Sequence, residues 1–307
     1  MISSLFRIIT IARNTLTEAV RQKVLNVLLI FSIVLVGCSI GFSQLSTPGL
    51  DSAGIFDAQI KFVKDAGFGA IGLFGFFIAL LSTAQLIPQE LHNRTIYTIL
   101  AKPVRRSEFL LGKFFGIVLL LTLCVTLMSL AFGVTLYWQE LRGLAATEDS
   151  YAQNPAWRSF PYLVNSYNHD VQNVIQQVRD PQIIEAILLI FTKLLMTTAI
   201  AMLISTFATS SIFTITTTFM VYLIGHMEST AREVWLASGA NSSIWQSSLV
   251  GLISLLIPDM NSFTITDEML AGNKVPWSHV LSLLGYADVY IIVLLGISVV
   301  IFNYREL

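Results

Sequence analysis

The chain has 307 residues, of which 54% are hydrophobic and only 12% charged, with a formal net charge of −1. Soluble domains carry about 25% charged residues, so this chain cannot cover a soluble surface. That excludes an ordinary cytosolic enzyme and a disordered chain, and the near-neutral balance excludes a basic nucleic-acid binder. Cys38 and Cys124 both lie in apolar runs and suggest neither a disulfide framework nor a zinc cluster.

In chain order, the first expected element is an amphipathic helix within residues 1–23. Leu5, Ile8, Ile9, Ala12, Leu16, Ala19 and Val20 recur at helical spacing, with Arg7, Thr10, Asn14, Thr17 and Arg21 on the other face. Such a basic amphipathic helix suits the cytoplasmic leaflet interface, as an elbow before the first span, rather than a soluble helix packed on a partner. A membrane span needs about 20 mostly apolar residues. Six candidates follow, at about 24–42, 68–87, 109–137, 183–207, 212 to at least 225, and 280–302. The third is long enough to tilt or protrude. A shorter apolar run, 244–257, reads as a re-entrant hairpin on the outer side before the last span. Leu35-Val36-Gly37-Cys38 matches a lipoprotein cleavage box, but the 23 residues ahead of its apolar run, Glu18 among them, make too long a leader.

Lys and Arg favour the cytoplasmic side of a membrane protein. With the N-terminus inside, the inner segments (1–23, 88–113, 208–211, 303–307) hold 10 of them in 58 residues, and the outer segments (44–66, 139–182, 226–279) hold 7 in 121. This bias places both termini in the cytoplasm, as six spans require. The outer segments 139–182 and 226–279 are sizeable, the first with an Asn/Gln-rich helical stretch near Asp170 to Arg179. Neither reads as an independent domain. The expected fold is all-α, a single transmembrane domain over residues 1–307.

Little in the chain can carry chemistry by itself. Gly112-Lys113 is the one Gly-Lys pair, but a phosphate-binding loop needs Gly five residues earlier and Ser or Thr next, where this chain has Ser107 and Phe114. His92, His169, His226 and His279 are scattered without metal-ligand spacing, so no metal site is expected. Glu148/Asp149 and Asp267/Glu268 read as solvated loop charge. Two charges fall inside spans, Lys193 in the fourth and Asp288 in the sixth. Intramembrane charge points to a transport path, yet both sit about five residues, or about 7 Å, below the outer boundary. At that depth they can pair, if their helices are adjacent, or Lys193 can snorkel; a structural role is favoured over an ion relay. Gly67, Gly69, Gly72 and Gly75 in the second span, and Gly112-x-x-x-Gly116 opening the third, support close helix packing.

The most informative stretch is the inner loop 88–108. Thr95 to Ala101 can form a short helix with Ile96, Ile99 and Leu100 on one side, and Pro103 forces an extended residue at Lys102. Ser107 is placed to cap the third span, and Glu108 suits its positive end. A short helix with an apolar ridge and basic flanks, held between two spans, suits docking in a groove of a cytoplasmic partner; a plain positive-inside anchor is the alternative.

The run Glu90…Arg94-Thr95-Ile96-Tyr97…Leu100-Ala101-Lys102-Pro103-Val104-Arg105-Arg106…Phe109…Gly112-Lys113 strongly resembles the permease subunits of type-2 ABC exporters, most closely the branch containing the nitrous-oxide-reductase maturation permease. Leu255 to Phe263 looks like that family's Leu-Pro-Asn-Leu-x-x-Phe element before the last span, with Asp259 in place of the commoner Asn. The ending Phe302-Asn303-Tyr304-Arg305-Glu306-Leu307 looks like its Phe-x-x-Arg-Glu/Asp-Leu terminus. Segment 139–182 does not align with the family pattern. The resemblance implies a bacterial inner-membrane protein with an elbow helix, six spans and an outer re-entrant hairpin. It implies two permease copies and two separate ATP-binding subunits, which would bind the ATP and Mg, leaving no cofactor in this chain. Glu90, Arg94, Thr95, Ile96, Leu100, Pro103, Arg105 and Arg106 would then be the region coupled to the ATPase. Two other functions compete: a mechanical module acting on an extracytoplasmic partner without moving a solute, and an ion-coupled carrier using Lys193 and Asp288.

Overall fold

The computed structural model describes residues 2–45, 52–88, 105–153, 157–237, 257–270 and 273–304, and among them it contains helices and no strand. The long helices are α1 (Ile2–Val20), α2 (Lys23–Leu45), α3 (Ser52–Ala84), α4 (Arg106–Ala152), α5 (Pro161–Val178), α6 (Gln182–Phe207) and α7 (Ser211–Ala237). A 3-10 turn (Asn261–Phe263), the short α8 (Thr266–Leu270) and the last helix α9 (Trp277–Tyr304) complete the order, with a second 3-10 turn at Trp157–Ser159. Among the described residues five stretches are long and apolar enough to cross a membrane: Lys23–Gln44, Phe56–Pro88, Arg106–Ala152, Pro161–Phe207 and Trp277–Tyr304. The remaining candidate, from residue 212, lies in α7. Its first half carries Thr214, Thr216, Thr217 and Thr218, which dilute the apolar run below the other five. The proposed re-entrant run 244–257 falls outside the described residues but for its last position.

Helices α3 and α6 form the centre, packed on each other, with α2 and α4 against α3 and α9 against α6. Peripheral α2 and α9 expose large apolar side chains along their length, among them Val27, Phe31, Val289 and Ile292. Such a helix, apolar all round and buried on one side only, is stable where the remaining surface meets lipid. On α9 the packed face is Val280, Leu283, Ala287, Ile291, Leu294, Ser298 and Phe302.

Glycines set the closest approaches. A Cβ on Gly67 would run into the Phe132 ring of α4, and one on Gly75 would stand 2.6 Å from Leu194 Cδ1 of α6. On α4 the partner of Gly112 and Gly116 is α1. A Cβ at Gly112 would lie 2.8 Å from Ile11 Cβ, and one at Gly116 2.6 Å from Thr15 Cβ and 2.9 Å from the Ala12 carbonyl oxygen. Together with the Arg7–Glu108 ion pair at 3.4 Å, these contacts advance by four residues on both helices at once. Helix α1 therefore runs alongside, and in the same direction as, the first turns of α4. Its buried positions are Ala12, Thr15 and Ala19, while Leu5, Phe6 and Ile9 are exposed. The face the sequence reads as one apolar stripe thus divides: small residues seat α1 on α4, and bulky ones remain outward.

At the opposite end, helices continue past the apolar segments. Helix α3 starts at Ser52, well before the span expected from 68, and α4 runs 47 residues. At 1.5 Å per residue that is about 70 Å, against a hydrocarbon core of about 30 Å. Helix α5 folds back along α4. Arg179 donates to both carboxylate oxygens of the buried Glu140, at 3.1 and 2.8 Å. Tyr151 donates to Asp170 at 2.8 Å, inside an aromatic cluster with Trp157 and Tyr167. Gln177 reaches Asp57 of α3 at 2.8 Å, and the buried Lys64 pairs with Asp180 at 3.7 Å. The described residues of segment 139–182, to which the sequence assigns no role, form two helical arms clamped to the start of α3.

Candidate functional site

Two places gather polar side chains that packing alone does not require. The first is the end where α4 begins. Glu90, Arg94, Thr95, Ile96, Leu100 and Pro103 of the expected coupling region lie outside the described residues; Arg105 and Arg106 lie within. The helix starts at Arg106, with Arg105 as its N-cap in extended conformation. Ser107, expected as the cap, is therefore inside the first turn. Glu108 does the capping instead: its carboxylate accepts from the Arg105 backbone N–H at 3.2 Å and from Arg7 of α1 at 3.4 Å. One acidic side chain satisfies an orphan donor at the helix start and holds α1 in register.

The two arginines, equivalent in sequence, do different things. Arg105 is exposed. Arg106 turns onto the last helix, donating to the carbonyl oxygens of Phe302 at 3.0 Å and Asn303 at 3.1 Å. The last carbonyls of a helix lack intrahelical donors and carry partial negative charge, so a guanidinium is a fitting cap. Buried Phe109 and Phe302 stack beneath it, with ring centroids 6.1 Å apart. The end of α9 is thus fastened to the start of α4, almost 200 residues away.

The second place is a cavity of about 310 Å³ between α3, α6, α7 and the segment after the 3-10 turn. Lys193 of α6 reaches into it. It is 8% exposed, its Nζ donates to Thr264 Oγ1 at 3.2 Å and it sits 5.5 Å from the centre of the Tyr222 ring. Thr264 is held there by the Pro258–Phe263 segment. Asp259 accepts from the backbone N–H groups of Asn261 and Ser262 at 2.9 and 3.2 Å, and from the Ser262 hydroxyl at 2.6 Å, closing the turn. Met260 N–H donates to the Gly225 carbonyl of α7 at 2.9 Å, and Asn261 donates to Ser229 at 3.1 Å. Phe263 is buried to 1%. The Asp that replaces the usual Asn therefore closes the turn with its own carboxylate. A Cβ on Gly225 would lie 2.7 Å from the Pro258 carbonyl oxygen. Gly225→Ala is expected to cost about 1–3 kcal/mol by overpacking, lowering the melting temperature in detergent. An unchanged melting temperature would show that α7 and the turn can part freely.

Asp288 does not meet Lys193. Helices α6 and α9 are adjacent as the pairing requires, but Asp288 is exposed and off the packed face of α9, next to the buried Ala287. Adjacency of helices did not bring the side chains together because Lys193 turns inward to Thr264 while Asp288 lies on the outward face of α9. Among the described residues, no group of three or more His, Cys, Asp and Glu could hold a metal ion. Sequence reasoning missed Glu108 as the tie between α1 and α4, and Thr264 and Tyr222 as partners of Lys193. The Pro258–Phe263 motif was the available signal for Thr264.

Compared with known proteins, residues 9–307 match the family model described as ABC-2 family transporter protein. No curated protein matches the chain.

Proposed function

The chain belongs to the ABC-2 family of transporter proteins and is a multi-pass membrane component of an ABC transporter, a partner of an ATP-binding subunit; from that premise we propose that it is the permease subunit of an exporter. It lies in a bacterial inner membrane with both termini in the cytoplasm, and a second copy and two ATPase subunits complete the transporter. Within the family it is assigned to the branch containing the nitrous-oxide-reductase maturation permease, on the motif resemblance of its inner loop. ATP and Mg²⁺ are assigned to the ATPase subunits, and ATP closure moves the loop 88–108.

The single observation that carries this reading is the family match over nearly the whole chain. The architecture supports a path for the force. A load on the loop enters α4 at Arg105, passes to α1 through Glu108 and the glycine seam, and to α9 through Arg106. Helix α1 serves as the elbow at the cytoplasmic leaflet.

One feature favours a second reading. The α4–α5 hairpin continues about 20 Å beyond the apolar part of α4, at 1.5 Å per residue, braced by Glu140–Arg179 and the Tyr151 cluster. A stiff projection on the outer side suits mechanical action on an extracytoplasmic partner. Purification from native membranes is expected to bring down an ATPase subunit with ATP turnover. A chain that comes out alone and moves its substrate on an ion gradient would overturn both readings. Reconstituted complex in which ATP moves no solute or lipid, but alters a partner bound at 139–182, would favour mechanical transmission.

A further inference from the structure

The Lys193 cavity has no part in the force path just described, yet its lining is that of a ligand site. Its volume falls at the lower end of the range for small-molecule pockets, about 300–1,000 Å³. The space exists because of two residues. Of the four glycines between residues 67 and 75 of α3, Gly67 and Gly75 are filled by Phe132 and Leu194, whereas beyond Gly69 and Gly72 nothing lies within 4 Å of a Cβ position. The two open glycines line the cavity, beside apolar walls from Phe68, Leu73, Ile190 and Leu194.

The buried cation is the second observation. Among the described residues three lysines are at least nine-tenths buried: Lys64, Lys113 and Lys193. Lys64 has Asp180 at 3.7 Å and Lys113 has Glu18 at 3.8 Å. Among the described residues no carboxylate comes within ion-pairing distance of Lys193; its contacts are one hydroxyl and one ring face. Asp259, whose carboxylate is engaged in its own turn, attracts it only from further off. An ammonium has three donors, and burying it without an anion is costly. A structural lysine would be expected to look like Lys64.

The mouth is the third. Asp65, Gly69 and Leu73 are exposed, and they stand at i, i+4 and i+8 on one face of α3, so the cavity opens sideways along the helix. An apolar tail can lie along Gly69 and Leu73 while a headgroup reaches Lys193. Asp65 at that mouth disfavours a second negative charge.

We propose that this cavity binds a singly anionic group, a phosphate diester or carboxylate, with Lys193 as its charge partner and Gly69 and Gly72 as the room it occupies. This deepens the transporter reading by naming a substrate class, and it rests on that reading only for the step of movement. The anion can come from a lipid headgroup or from a free solute, and binding to the full chain in nanodiscs separates the two.

The probes are phosphatidylglycerol doped into phosphatidylcholine discs, read by native mass spectrometry, and aqueous dimethyl phosphate or acetate as tail-less competitor. The wild-type chain is expected to retain phosphatidylglycerol over phosphatidylcholine by about tenfold or more, as a charge-assisted contact of about 1.5–3 kcal/mol implies. Lys193→Met and Gly72→Leu should each abolish the preference, and Asp65→Asn should admit doubly charged phosphatidic acid. Displacement by the tail-less anion at millimolar concentration assigns the site to a free solute, and its failure to displace assigns it to lipid; either supports an anion site. Wild-type preference in both Lys193→Met and Gly72→Leu, or no anion preference from either source in the wild type, overturns it. Should Lys193→Met fail to fold, Gly72→Leu and Asp65→Asn, which leave the lysine in place, decide the matter. Because binding is read without ATP, anion binding by a chain that brings down no ATPase subunit from native membranes would sink the transporter reading alone. An ATPase complex without anion binding would sink this proposal alone.

Discussion

Arg106→Glu is expected to destabilise the folded chain markedly, while Arg105→Glu leaves its stability unchanged and weakens retention of the ATPase. The neighbours are alike in sequence, but Arg106 donates to two terminal carbonyls of α9 and Arg105 is exposed. Losing the charge-assisted contact costs about 1.5–3 kcal/mol. Facing a carboxylate to the negative end of α9 adds about 0.3–1 kcal/mol. An exposed substitution such as Arg105→Glu stays within about 0.5 kcal/mol. Thermal unfolding in detergent and co-purification with the ATPase are the two measurements. Equal melting temperatures for both variants would contradict the cap, and full ATPase retention in Arg105→Glu would count against docking at that residue.

Gly116→Leu, alone or with Gly112→Leu, is expected to detach α1 from α4. Even a Cβ at either position meets α1 closer than van der Waals contact, and at Gly116 one of the atoms met is the backbone oxygen of Ala12, which no rotamer change can move. Overpacking of this kind costs about 1–3 kcal/mol per site, and the two will not add simply because they share one seam. Loss of the seam also separates Arg7 from Glu108, leaving that carboxylate with its Arg105 contact but without this ion pair. Trypsin should then cut after Arg7 and Arg13 much faster in the variant, with α2 to α9 still folded. Unchanged protection would show that α1 is held by something other than close approach. On the force path proposed above, detachment should also reduce transport per ATP hydrolysed.

These two outcomes separate what could be read from the chain and what could not. Composition and local hydropathy determined that the protein is helical and lives in a membrane, and they placed the apolar segments, because the cost of leaving water is a sum over neighbouring residues. The family resemblance was legible for the same reason: its motifs are contiguous runs such as Pro258–Phe263, whose turn closes on its own side chains. Hydropathy reports contact with lipid, however, and not helix length. Polar turns of α3 and α4 beyond the apolar segments therefore looked like loops, although they continue as helix. Side-chain partners were less legible still. Whether a glycine admits a neighbouring helix or opens a cavity depends on what stands opposite, Phe132 at Gly67 and nothing near Gly72. Whether an intramembrane charge is paired depends on which face its helix turns to a neighbour, and here Lys193 turned inward to Thr264 while Asp288 turned out. The sequence alone determined which residues are costly to bury; the tertiary structure decided which of them are buried and beside what, because contacts such as Lys193–Thr264, Arg7–Glu108 and Arg106–Asn303 join residues 71 to 197 positions apart and no local sum contains them.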